Sequence, residues 1–159
     1  MKTALFVCTG NTCRSPLAEA IARDWSRQQG LRDRLFFASA GTHATSGSPV
    51  AEETVVALQR FGIEHRGTSK PLTAEMIRKA DHVICMTPDH AEEARHLVEN
   101  DPDASAKIVL LNPDEPIDDP VGMGQKAYDE LAKKFQTLIP QRMKDLLNHE
   151  DRSRIGSSG

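Results

Sequence analysis

At 159 residues, 38% hydrophobic and 27% charged, the chain has the size and composition of one soluble domain with a single substantial core, not of a disordered sequence. A formal net charge of −3 removes any electrostatic reason to expect nucleic acid or an anionic membrane as a partner. No apolar run approaches the roughly 20 residues of a membrane span, and three cysteines with no room for a signal peptide at Met1-Lys2-Thr3 place the expected compartment in the reducing cytoplasm.

In chain order, the apolar run Thr3–Val7 reads as a buried strand. A helix follows, on which Leu17, Ile21 and Trp25 recur at helical spacing; Ser15 fits its N-cap and Pro16 its first position. Leu35–Gly41 is a second strand, and Ala51, Val55, Leu58 and Phe61 mark a helix that stops at Gly62. His82–Met86 is a third strand, followed by a helix from Pro88 to Val98, and Lys107–Leu111 is a fourth. The loop Asn112–Gly124 is rich in Pro, Asp and Gly, and a long last helix carries Leu131, Phe135, Leu138, Leu146 and Leu147. Pro140 is expected to kink or divide that helix, because proline removes a backbone donor and clashes with the preceding turn. Residues 1–149 are expected to form the domain, with 150–159 a polar, disordered tail. Strands alternating with helices predict an α/β domain: a parallel sheet with helices on both faces. In such sheets ligands bind beyond the carboxyl ends of the strands, where the strand order reverses. Cys8 sits at the end of the first strand.

The stretch FVCTGNTCRSPLAEA, Phe6 to Ala20, carries the chemistry. A loop of Thr9, Gly10, Asn11, Thr12 and Cys13, with Gly10 and Asn11 free to take unusual backbone angles, can point several N–H groups into one concavity. The helix after it adds orphan N–H groups and a positive dipole end. Arg14, six positions after Cys8, can bring a planar fork of donors over the same centre, and that fork matches phosphate oxygens in two-point fashion. The helix end and the arginine both favour the thiolate, the nucleophilic form of a cysteine placed there. Taken singly, each feature has an ordinary reading: a strand-end cysteine is usually core, a Gly-Asn pair is usually a turn, and an arginine at a helix start usually means nothing. Together, a C-x5-R run and Ser-Pro at a strand-to-helix turn point to a bound oxyanion. A nucleotide P-loop is excluded, since no G-x-x-x-x-G-K-[ST] is present.

This stretch resembles the signature of the low-molecular-weight protein tyrosine phosphatase family, and the likeness continues through "SAGT" (Ser39–Thr42), "ICM" (Ile84–Met86) and "DDPVG" (Asp118–Gly122). The resemblance implies a four-stranded parallel sheet in the order 2-1-3-4, no metal, no cofactor and a phosphocysteine intermediate. It casts Cys8 as nucleophile, Arg14 as phosphate clamp and Ser15 as hydrogen-bond donor to the sulfur. Asn11 braces the loop with help from Ser39, and Asp119 is general acid and then base. The family also uses a cysteine at position 13 as a redox partner, so peroxide is expected to join Cys8 to Cys13. The expected partners are phosphorylated proteins, with inorganic phosphate as product, and the expected state is a monomer.

The chemistry calls for a carboxylic acid on its own account, because the departing oxygen or nitrogen needs a proton. Asp114, Asp118 and Asp119 share one loop; Asp119 is preferred because Pro120 stiffens it, with Asp118 as fallback. Six histidines show no metal spacing, and His90 and His96 are expected on a solvated helix; Cys85 and Trp25 are expected in the core. Thioredoxin-coupled arsenate reductases share a similar loop but need a further cysteine pair after the third strand, where this chain has Cys85 alone. A non-catalytic phosphate-binding module leaves the thiol, arginine and aspartate without a purpose. Among phosphatase substrates, phosphoarginine is preferred to phosphotyrosine. The bacterial protein-arginine phosphatases resemble this chain in reading "CTGNTCRSP" with Thr12, and the place after Asp-Pro holds Val121 and Gly122 rather than the aromatic ring typical of the tyrosine enzymes.

Overall fold

The computed structural model describes the backbone of residues 1–157 and the side chains of residues 1–148. The elements follow the order β1 (Lys2–Cys8), α1 (Arg14–Gln28), β2 (Leu35–Gly41), α2 (Glu52–Gln59), α3 (Ala74–Lys79), β3 (His82–Cys85), α4 (Pro88–Leu97), α5 (Pro102–Ser105), β4 (Ile108–Leu110) and α6 (Gln125–Ser157). The strands form one sheet in the order β2-β1-β3-β4, and every neighbouring pair is parallel. The expected 2-1-3-4 sheet is therefore the observed one.

Strand periodicity sorts the core into two layers. Ala4, Phe6 and Cys8 face a cluster with Leu17, Ile21 and Trp25 of α1, Leu58 of α2, and Phe135, Ile139 and Met143 of α6. Leu5 and Val7 face the other cluster, with Ile77 of α3, Ala91 and Ala94 of α4 and Ala104 of α5. Successive strand side chains point to opposite faces, so β1 builds both layers at once. Cys85 lies in the second layer and is fully buried, as expected, and burial pushes its thiol up to about 12.

The boundaries depart from expectation at four places. α1 begins at Arg14, and its N-cap is Cys13, which makes no side-chain cap bond; Ser15 is inside the helix, its hydroxyl held by Cys8 and Asn11 instead. The short helices α3 and α5, too brief to show a period, were not foreseen; Thr73 Oγ1 caps the first by accepting from the Met76 N–H and Asp101 Oδ1 the second by accepting from the Ala104 N–H. Pro140 lies inside α6 without dividing it, because Phe135, Ile139 and Met143 anchor both sides in the core and offset a penalty of about 3 kcal/mol. α6 is helical as far as Ser157 and takes in most of the segment set apart as a tail; Ser158 and Gly159 lie outside the described residues. No helix among the described residues is long and apolar enough to cross a membrane.

Candidate active site

β1 delivers Cys8 to the carboxyl end of the sheet, next to Gly41 of β2. From there the loop to α1 is tied outward by its carbonyls. Cys8 O accepts from the Thr42 N–H at 2.9 Å, Thr9 O from the His43 N–H at 3.0 Å, and Thr12 O from the Ala51 N–H at 3.0 Å and the Thr54 hydroxyl at 3.2 Å. Among the described residues, the N–H groups of Thr9 through Cys13 find no protein acceptor, which leaves them to an anion in the loop. Gly41 has to be glycine for this packing: a Cβ there would strike the Thr9 carbonyl oxygen and lie 2.8 Å from Ala44 Cβ.

Asn11 is the brace. It takes the left-handed region at φ 58°, which asparagine tolerates better than most residues. Its buried amide is fully engaged: Nδ2 donates to Ser15 Oγ and Ser39 Oγ, each at 2.9 Å, and Oδ1 accepts from the Lys70 N–H at 2.9 Å. Ser15 Oγ lies 2.9 Å from Cys8 Sγ. Because that oxygen already accepts from Asn11, its proton is directed at the sulfur.

Arg14 is buried, with only 6% of its side chain exposed. Nη1 donates to Ile117 O at 2.9 Å and Nη2 to Thr9 Oγ1 at 3.3 Å. Nη2 also lies 3.7 Å from Asp119 Oδ2, so the third required group reaches the site from the loop after β4. That loop is anchored by the Ile117 N–H, which donates to Met86 O at 3.0 Å. Asp119 is itself fixed by the Val121 N–H, which donates to Oδ1 at 3.1 Å. Asp114 and Asp118 are exposed in the same loop and form no ion pair with Arg14. Val121 and Met123, which follow Asp119 in the same loop, are 60% and 71% exposed. Thr12 is half-buried, its hydroxyl 3.6 Å from Cys13 Sγ. Cys13 is buried, 3.3 Å from Tyr128 Oη on α6.

His90 corrects the sequence reading. It is buried, not solvated, with Nε2 2.8 Å from Thr9 Oγ1 and Nδ1 3.0 Å from Thr87 Oγ1. Its helix exposes most of its other polar side chains, so helical periodicity alone pointed the wrong way. The available signal was position: Thr87-Pro88 caps a helix directly after a strand, which points that helix's first turn at the ligand end of the sheet. Tyr128 was not singled out either, because a lone tyrosine in an amphipathic helix reads as core. Among the described residues, no group of three or more His, Cys, Asp or Glu side chains is placed to hold a metal ion.

A parallel sheet with a thiol, a guanidinium and a carboxylate converging in one anion-binding loop at its carboxyl end belongs to the class of cysteine-centred oxyanion enzymes. Comparison with known proteins narrows the class. Residues 3–153 match the family described as low molecular weight phosphotyrosine protein phosphatase, and the chain belongs to that family. It is 36% identical to a protein-arginine-phosphatase of Geobacillus stearothermophilus, over 85% of this chain and 89% of that one. It is 31% identical to low molecular weight phosphotyrosine protein phosphatase 2 of Drosophila melanogaster, over 83% and 84%. A solved YwlE arginine phosphatase with a phosphorylated active-site serine superposes with a TM-score of 0.83 at 28% identity, covering 94% of this chain and 98% of that one. The chain is a cysteine-dependent protein phosphatase.

Proposed function

We propose that the chain hydrolyses phosphoarginine on proteins through a phosphocysteine formed on Cys8. The observation that carries the mechanism is the convergence of four groups: Ser15 Oγ 2.9 Å from Cys8 Sγ, and Arg14 Nη2 3.7 Å from Asp119 Oδ2. The Cys8 thiolate attacks phosphorus while the loop N–H groups and the Arg14 fork hold the three equatorial oxygens. As the bond from phosphorus to the leaving nitrogen breaks, the Asp119 carboxyl supplies the proton that nitrogen needs. The resulting carboxylate takes a proton from water, the water attacks phosphorus, and the thiolate leaves as inorganic phosphate forms, steadied by the Ser15 hydroxyl. All groups come from one chain, so a monomer suffices. The three free cysteines suit the cytoplasm.

Two features favour arginine as the leaving group. Thr12 leaves room beside the phosphate, and the exposed stretch at Val121 and Met123 has no ring to stack on a phenyl group. Asp119, about half exposed at the mouth, can lie edge-on to a flat guanidinium, its carboxyl proton directed at the leaving nitrogen. The relatives named as arginine phosphatases support the same reading; the Drosophila relative supports phosphotyrosine as the second. On matched peptides, kcat/KM is expected to be higher for phosphoarginine, and Thr12→Ile should shift the ratio toward phosphotyrosine. A higher value for phosphotyrosine in the unmodified protein, or no shift on substitution, would transfer the assignment to tyrosine.

Redox control belongs to the same proposal. Peroxide converts the Cys8 thiolate to a sulfenic acid, and the Cys13 thiol then attacks that sulfur, expelling water and forming the disulfide. Both cysteines are buried in the same loop region. Peroxide is expected to inactivate the protein reversibly by dithiothreitol, with a Cys8–Cys13 crosslinked peptide in the mass spectrum. Only sulfinic or sulfonic Cys8, with no crosslink, would exclude the switch.

A further inference from the structure

His90 is 5% exposed and connects the start of α4 to the anion loop. Its ring bridges two hydroxyls, Thr87 Oγ1 at Nδ1 and Thr9 Oγ1 at Nε2, and Thr9 Oγ1 accepts in turn from Arg14 Nη2 at 3.3 Å. We propose that His90 is a positioning residue for the phosphatase reaction, holding the Arg14 guanidinium in its gripping orientation through the Thr9 hydroxyl.

Counting donors and acceptors selects the tautomer. Thr87 Oγ1 accepts from the His90 N–H at 3.3 Å as cap of α4, and its own proton finds a partner among the described residues if it goes to Nδ1. Nε2 then carries the ring proton and donates to Thr9 Oγ1. A hydroxyl oxygen has two acceptor sites, and Thr9 uses one for His90 and one for Arg14. Its own proton is left for an oxyanion in the loop. The opposite tautomer would turn that proton toward the ring and leave the Thr87 proton without a partner among the described residues. Charge agrees with this pattern. Burial and the Arg14 guanidinium lower His90 to about 4, against the opposing pull of Glu93 and Asp89 on its own helix and Asp119 across the mouth. The ring is therefore neutral at neutral pH, and an imidazolium would place a second cation against Arg14.

The inference rests on the reaction at Cys8 but not on the choice of substrate, so p-nitrophenyl phosphate serves as the assay. His90→Gln places an amide donor near the position of Nε2, whereas the shorter His90→Asn reaches Thr87 but not Thr9. His90→Gln is expected to keep kcat within about threefold, while His90→Asn lowers it about tenfold, the worth of one hydrogen bond to a charged network. In a Thr9→Val background, His90→Asn should have no further effect, because the route to Arg14 runs through Thr9. In a Cys8→Ser background, His90→Asn should weaken inorganic phosphate binding by a similar factor, which separates this idea from any failure of turnover itself. Equal losses for the two His90 variants, or effects of Thr9→Val and His90→Asn that multiply, would reduce His90 to a packing residue and overturn the proposal.

Discussion

Cys8→Ser is expected to abolish steady turnover while leaving inorganic phosphate binding largely intact. A serine hydroxyl at this position has no base beside it: its neighbour is the Ser15 hydroxyl, 2.9 Å from the sulfur, which donates rather than accepts toward position 8. The cradle itself does not depend on sulfur. It consists of loop N–H groups, held by carbonyls tied to Thr42, His43 and Ala51, and of Arg14, oriented by Ile117 O and Thr9 Oγ1. Calorimetry with phosphate and a turnover assay on the same preparation separate the two roles. Multiple turnovers by the serine protein would sink the nucleophile assignment.

Asp119→Ala is expected to lower kcat on phosphopeptides by about 10² to 10⁴, the range for a positioned general acid and base. The loss should shrink on p-nitrophenyl phosphate, whose phenolate leaves without needing a proton. Stability should barely change, since the carboxylate is about half exposed and its ion pair with Arg14 is long at 3.7 Å. Asp118→Ala provides the control. That residue forms no ion pair with Arg14, whereas Asp119 does, so kcat of the Asp118→Ala protein should match the unmodified protein. If the loss instead follows Asp118, the acid is the other member of the pair and the Arg14–Asp119 approach is incidental.

The sequence by itself determined the parts of this protein that are local. Four apolar runs became four strands because a buried parallel strand needs only a short run of apolar residues, and all four appear within a residue of where the pattern put them. The loop was legible for the same reason: Cys8, Asn11, Arg14 and Ser15 lie within eight positions, and a strand-to-helix turn of that length curls them around one centre. Tertiary structure decided what depends on distant residues. The short helices α3 and α5 are held by caps and packing rather than by a period. Pro140 passes through α6 because core contacts on either side outweigh its local cost. Ser15 left the N-cap role for the sulfur because Asn11, in a left-handed turn, donates to its oxygen. Pro120 already favoured Asp119 over Asp118 in the sequence, but its approach to Arg14 depends on the loop after β4 being anchored at Met86, more than thirty positions before it. His90 was the largest miss. Its burial comes from the sheet order, since β3 packs directly beside β1 and sets the first turn of α4 against Thr9, a contact that no helical period can show.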